Sequence, residues 1–121
     1  MPKRFVVPVT TIADGSATAY SPVLSGNIST IRYVKESFSN GVDFVITAEA
    51  TGETIWSEEN VNASKTVAPR QAVHTTAGVA ALFAAGGLPV LDKIALFADR
   101  VKIVIAEGGD THTGTFHIVT E

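Results

Sequence analysis

The sequence predicts an all-β protein: an antiparallel β-sandwich of jelly-roll or immunoglobulin-like type, with about seven to eight strands and one long loop. Two observations predict this fold. Apolar and polar residues alternate along several short segments, which is the pattern of half-buried strands. Turn-forming pairs separate these segments at short intervals: Asp14-Gly15, Ser25-Gly26, Asn40-Gly41, Thr51-Gly52, Gly86-Gly87 and Gly108-Gly109. At 121 residues the chain has the length of one domain, so residues 1–121 are expected to form a single sandwich.

The strands predicted in the first half of the chain differ in the strength of their patterns. Residues 5–9 alternate, and Pro8 within them has no N–H, so this strand is expected at a sheet edge. Residues 28–35 are rich in β-branched and aromatic side chains. Residues 42–49 show the clearest alternation, and residues 54–57 return after the short connection 50–53.

The second half ends in two strongly patterned segments. Residues 93–97 form a short apolar strand, and residues 99–106 alternate like residues 42–49. The sequence Gly108-Gly109-Asp110 is typical of a turn, so residues 99–106 and 114–120 are predicted to pair as a C-terminal hairpin. The residues predicted to form much of the core are Val42, Phe44, Ile46, Val101, Ile103, Ile105, Phe116 and Ile118.

The segment between residues 60 and 91 has no clear strand pattern. Residues 60–73 are predicted to be the long loop. Residues 77–85 are alanine-rich, which fits a short helix about as well as it fits a strand or an irregular excursion. Residues 71–91 carry no charge, but Gly86, Gly87 and Pro89 interrupt them, so no membrane span is expected. The N-terminus also lacks the apolar stretch of a secretory signal.

Composition limits the kinds of function that are expected. The chain has no cysteine, which removes disulfides and thiol chemistry. Its net charge of −3 gives no basic footprint for nucleic acid or for an anionic membrane. Charged residues make up 17% of the chain against about 25% in ordinary soluble domains, and mean hydropathy is +0.26. A surface with so little charge is expected to be covered in an assembly.

No catalytic, metal-binding or cofactor-binding pattern is found. His112 and His117 are five residues apart, so on one extended strand their side chains would point to opposite faces. His74 has serine and threonine neighbours, but no nucleophile motif surrounds any of them. The prediction is therefore a protein without enzymatic activity, cofactor or metal.

Several segments of the C-terminal half form a characteristic series of strands and turns: Pro69-Arg70, Val73-His74, Thr76-Ala77-Gly78, Asp92-Lys93-Ile94, residues 100–109 and Thr113-Gly114-Thr115. Together they resemble a family of small structural proteins of tailed phages and prophages that accompany the capsid genes. The resemblance is weaker over residues 42–53. It implies a β-rich, capsid-associated protein and brings no catalytic residues with it.

The expected function is that of a capsid decoration or cement subunit that stabilises the shell. Such a subunit would belong to the virion, assemble in the host cytoplasm and bind the major capsid protein as a homo-oligomer, most plausibly a trimer. Two alternatives stay open: a neck, tail or baseplate subunit, and a carbohydrate- or receptor-binding module that uses Trp56 and the long loop. The candidate interface residues are Lys3, Arg4, Trp56, Arg70 and His74.

Overall fold

A computed structural model describes residues 2–121, and all of the regular structure in that range is β. The predicted fold class is confirmed, with ten strands in two antiparallel sheets. The strands are β1 (Lys3–Thr10), β2 (Ala17–Tyr20), β3 (Leu24–Lys35), β4 (Val42–Ala48), β5 (Thr54–Val61), β6 (Lys65–Val67), β7 (Arg70–Ala72), β8 (Leu91–Asp99), β9 (Val101–Ala106) and β10 (Thr113–Thr120).

The larger sheet has six strands in the order β1-β10-β3-β8-β7, and β6 also pairs with β3. The twelve-residue strand β3 has two neighbours on one side, because β8 covers its first half and β6 its second half. The smaller sheet has the order β2-β9-β4-β5. Strand β1 lies at the edge of the larger sheet, as Pro8 predicted, and Pro8 stands opposite Thr115 of β10.

The core lies between the two sheets and is built from the inward-facing residues of each. All eight predicted core residues are buried, none more than 1% exposed. Tyr33, at the centre of the core, has its ring centroid 5.3 Å from those of both Phe44 and Phe116 and 6.2 Å from that of Phe38. Because these rings come from both sheets, they hold the two layers together by apolar burial and ring packing.

The predicted C-terminal hairpin is wrong. Strand β9 pairs with β2 and β4 in the smaller sheet, whereas β10 pairs with β1 and β3 in the larger one. The connection with Gly108 and Gly109 therefore carries the chain from one layer to the other. Alternation along two successive strands shows only that each strand has one buried face. The same pattern arises when the two strands pair in one sheet and when they lie in opposite sheets across the core.

The connection from β1 to β2 also passes from one sheet to the other, and it is hydrogen-bonded to the connection from β9 to β10. The Gly108 N–H donates to the Gly15 carbonyl over 2.9 Å, and the Thr11 N–H donates to the His112 carbonyl over 2.9 Å. The buried Thr11 hydroxyl donates to the Gly109 carbonyl over 2.6 Å. These bonds fix both changes of layer at the same end of the sandwich.

The predicted long loop is also wrong over most of its length. Strand β5 continues to Val61, and β6 and β7 lie within residues 62–73. These two strands have three residues each, too few to show an alternating pattern. They are held by pairing with β3 and β8, which are distant in the sequence.

Candidate functional site

Residues 73–90 form an arm that extends from the end of β7 and β8. Three backbone hydrogen bonds close a ring at its base: the Val73 N–H donates to the Val90 carbonyl over 2.8 Å, the Val90 N–H to the Ala81 carbonyl over 2.9 Å, and the Ala81 N–H to the Val73 carbonyl over 2.7 Å. Two lobes leave this ring, residues 74–80 and residues 82–89. The arm has no helix, so the helical reading of the alanine-rich segment does not hold.

Each lobe is a small hairpin closed by a glycine-containing turn. In the first lobe the Thr75 N–H donates to the Val79 carbonyl over 2.8 Å, and Gly78 has a φ of +80°. In the second lobe the Phe83 N–H donates to the Leu88 carbonyl over 3.1 Å, and Gly86 has a φ of +72°. Left-handed backbone at these two positions favours glycine, and it interrupts helical geometry near both ends of the alanine-rich segment 77–85.

The arm and the strand that follows it expose large apolar side chains. Phe83 is 76% exposed and Leu88 78%, and Phe97 on β8 reaches 88%. No charged residue occurs between Arg70 and Asp92. The chain exposes 6702 Å² of surface, whereas a compact monomer of this mass exposes roughly 6,200 Å². Because exposed large apolar side chains are concentrated in residues 73–97, we take this part of the chain as the candidate interaction site. The exposed apolar residues of this surface are Val73, Val79, Leu82, Phe83, Leu88, Leu91 and Phe97.

A cleft of about 200 Å³ opens between the two sheets near the same edge. One wall is the end of β4 and the turn that follows it, including Ala48 and Ala50, and the other is residues 94–99 of β8. This part of β8 is paired with β3 on one side, and β7 on the other side covers only residues 91–93. The cleft therefore opens beside a stretch of strand that lacks a second partner within residues 2–121.

The candidate interface residues predicted from the sequence do not form one patch. Lys3 and Arg4 lie on β1, at one edge of the larger sheet, and Arg70 lies on β7 at the other. Four strand spacings separate these edges, which is roughly 19 Å. His74 lies exposed at the base of the first lobe, paired with Ala80. The sequence thus named one residue of the arm and missed its apolar residues, whose only signal was the uncharged run from 71 to 91.

The edge strand β1, which carries Lys3 and Arg4, lies next to further basic and imidazole side chains on the larger sheet. Arg4 places Nη1 3.3 Å from Nδ1 of His117, which stands opposite Val6 on β10. Arg32 is the register partner of His117 on β3. The outer face of the larger sheet therefore carries a row of basic and imidazole side chains next to the basic edge.

Arg70 is exposed on β7 and is also hydrogen-bonded within its own chain. Its guanidinium donates to the Pro69 carbonyl over 2.8 Å and to the Ser29 carbonyl over 3.1 Å. These bonds tie β7 to the neighbouring part of β3.

Trp56 is buried and offers no exposed ring to a partner. It is 8% exposed, and its ring packs edge-on against the Phe44 ring, with 4.7 Å between the two ring centroids. Its Nε1 donates to Oε1 of Glu58 over 3.2 Å, and Lys65 bonds the same carboxylate from β6 at 2.7 Å. The Lys65 ammonium, together with the Trp56 N–H, holds the pKa of Glu58 below its ordinary value. Because β5 and β6 belong to different sheets, this ion pair links the two layers at their edge.

Clusters that could carry other chemistry do not stand out in the described part of the chain. Among residues 2–121 no group of three or more His, Asp or Glu side chains is arranged to hold a metal ion. His112 lies in the corner before β10 and His117 lies within that strand. In the same range no helix is long and apolar enough to cross a membrane.

Comparison with known proteins gave no match of this chain to a family model, to a curated protein or to a solved structure.

Proposed function

We propose that this chain is a non-enzymatic structural subunit of a tailed-phage virion, a capsid decoration or cement protein. The observation that carries the proposal is the presence of two exposed surfaces of different chemistry at opposite edges of one sheet. One is the uncharged apolar arm beyond β7, and the other is the basic edge of β1. The resemblance of the strand-and-turn segments to small capsid-associated proteins supports the same proposal.

A subunit with two such surfaces suits a role as a bridge between neighbouring molecules of a shell. The apolar arm can bind one neighbour by burial of surface, while Lys3 and Arg4 can pair with acidic groups on the major capsid protein. Rim charges of this kind mainly steer association and fix register. A molecule that binds only the assembled shell stabilises that shell by mass action.

The test is a binding and melting experiment on shells prepared without this protein. Adding the purified chain should saturate at a fixed number of copies per shell and raise the temperature at which the shell melts. Lys3→Glu combined with Arg4→Glu should weaken binding and reduce its dependence on salt. Lys102→Glu, on the outer face of the smaller sheet, is the matched control and should bind like the wild type. Shells that neither bind the chain nor gain stability would refute the cement role.

Electron microscopy of the particle separates the remaining virion roles. Density for this chain on the shell supports decoration, whereas density at the neck, tail or baseplate supports the alternative. The carbohydrate-binding alternative depended on Trp56 as a stacking surface, and its ring is packed against Phe44 in the core. The geometry therefore favours a structural role over sugar binding through that residue.

A further inference from the structure

The second lobe of the arm and the cleft beside β8 are complementary in size and chemistry. Phe83 stands out from the lobe, 76% exposed, and does not line the cleft of its own chain. Six of the nine residues that line the cleft are small or apolar, among them Ala48, Ala50 and Leu96, and the other three are Thr51, Glu53 and Asp99. One molecule thus presents an apolar knob and, elsewhere, an open cavity of side-chain size.

The volumes agree with this complementarity. An apolar cavity of about 150 Å³ holds one benzene-sized group in a well-studied case. The cleft of about 200 Å³ therefore has room for one phenyl ring together with the edge of a neighbouring side chain. Phe97, which is 88% exposed and lines the cleft, would be covered by the arriving lobe.

The electrostatics also favour a second copy as the occupant. The lobe brings no charge, so it does not leave an unpaired ion when it enters the cleft. Asp99 at the cleft is already engaged, because its Oδ1 accepts from the N–H groups of Ala50 over 3.0 Å and Arg100 over 2.7 Å. Glu53 remains at the rim, where water can solvate it.

We propose that the chain self-associates head to tail, with Phe83 of one copy seated in the cleft between Ala50 and Phe97 of the next. This inference rests on the proposed function as a shell subunit. It adds the contact that joins one copy of the chain to the next. The two contacting surfaces are different, so each copy offers one knob and one cleft. Such a heterologous contact closes into a ring when the rotation between copies permits it, and three copies then form a trimer.

The experiment is sedimentation velocity of the purified full-length chain over a series of concentrations, without shells. The wild type should form a concentration-dependent oligomer. Phe83→Ala should raise the apparent dissociation constant at least tenfold, as expected for a central aromatic anchor. Ala50→Trp, which fills the cleft from an exposed turn residue, should do the same, and Ala95→Trp is a second filling variant. Val23→Ala, at a residue 64% exposed outside both surfaces, is the control and should leave the constant unchanged.

Mixing the two variants tests the geometry of the contact. Phe83→Ala retains an open cleft and Ala50→Trp retains its knob, so an equimolar mixture should form a one-to-one dimer and nothing larger. A contact between two arms would instead be abolished by Phe83→Ala and unaffected by Ala50→Trp. That result, or a wild type that stays monomeric, would overturn the inference. Circular dichroism and urea midpoints equal to the wild type show that each variant is folded. Because no shell is present, shell binding can fail or succeed independently of this outcome.

Discussion

Replacement of Tyr33 by phenylalanine should stabilise the protein, although the residue lies at the centre of the core. Tyr33 is 0% exposed, and within residues 2–121 its hydroxyl has no hydrogen-bond partner. A buried polar group that is left unpaired costs about 1–3 kcal/mol of stability. Tyr33→Phe removes that group and keeps the ring contacts with Phe44 and Phe116.

The expected gain is this desolvation cost less a small packing loss. Loss of one oxygen leaves a void of roughly 10–15 Å³, which costs a few tenths of a kcal/mol. The free energy of unfolding should therefore rise by about 1–2 kcal/mol, and the Tm by several degrees. The assay is urea unfolding of the variant and the wild type. A higher midpoint for the variant, with the same dependence of the unfolding free energy on urea concentration, shows the gain in stability. Tyr20→Phe, at a residue 40% exposed, is the matched control and should change little.

The same residue sets an alkaline limit on stability. Burial, with a smaller contribution from the charge of Glu36, raises the pKa of Tyr33 from 10.0 to about 12. Between these values the unfolded chain releases the phenolic proton and the folded chain keeps it, so stability falls as pH rises. The loss should grow as the pH rises from 10.0 toward about 12, because the unfolded tyrosine ionises over this range while the buried tyrosine keeps its proton. Tyr33→Phe should lack this component. A variant that is less stable than the wild type at neutral pH would refute the reasoning, because it would show that the hydroxyl is hydrogen-bonded.

Three further changes, and a glycine control for the second of them, test the core, a tight contact and the ion pair at the sheet edge. Ile103→Ala, fully buried in β9, should lower the free energy of unfolding by about 2–5 kcal/mol, and an unchanged urea midpoint would contradict its core position. Gly114→Ala would place a Cβ in steric overlap with Cε2 of the buried Phe38 ring, so thermal unfolding should show a loss of about 1–3 kcal/mol. In Gly52→Ala the Cβ meets open space and only the strain at φ +77° remains, about 1 kcal/mol. Lys65→Met should cost ~1 kcal/mol at most at neutral pH, because both side chains are partly exposed. The lowered pKa of Glu58 gives stability that is present above its ordinary pKa and lost as pH falls through the lowered value, so wild type and variant should converge in acid.

The sequence predicted the sandwich and its core because both follow from local alternation. Val42, Phe44 and Ile46 repeat with the period of a strand, and nothing outside the segment is needed to assign their buried face. The edge position of β1 was predictable for the same reason, since Pro8 lacks an N–H whatever its neighbours are. These predictions are confirmed.

The predictions that failed depend on pairing between distant segments. Gly108 and Gly109 form a turn, but the partner of β9 is decided by β2 and β4, far away in the sequence. Likewise, β6 is a strand because β3 extends past the end of β8, a fact that no local pattern records. Trp56 was predicted at an interface and is packed in the core. The pairing of β5 with β4 is interrupted by register shifts, and this pairing decides which side chains of β5 face inward.

The candidate site was predictable only in part. The lack of charge over residues 71–91 is plain in the sequence, yet alanine propensity and glycine flexibility left its shape open. The shape follows from backbone bonds among Val73, Ala81 and Val90, which no residue type specifies. Lys3 and Arg4 are exposed on the edge strand β1, and their role in binding stays a prediction.

The conformation of the arm at its base is held by backbone hydrogen bonds, so it does not depend on which side chains the lobes carry. Every residue except proline has both an N–H and a carbonyl, so the ring requires little of the side chains at Val73, Ala81 and Val90. The lobes can therefore accumulate substitutions while the sandwich keeps its stability. A library randomised in the lobes, residues 74–80 and 82–89, should therefore change what the arm binds without lowering the free energy of unfolding of the sandwich.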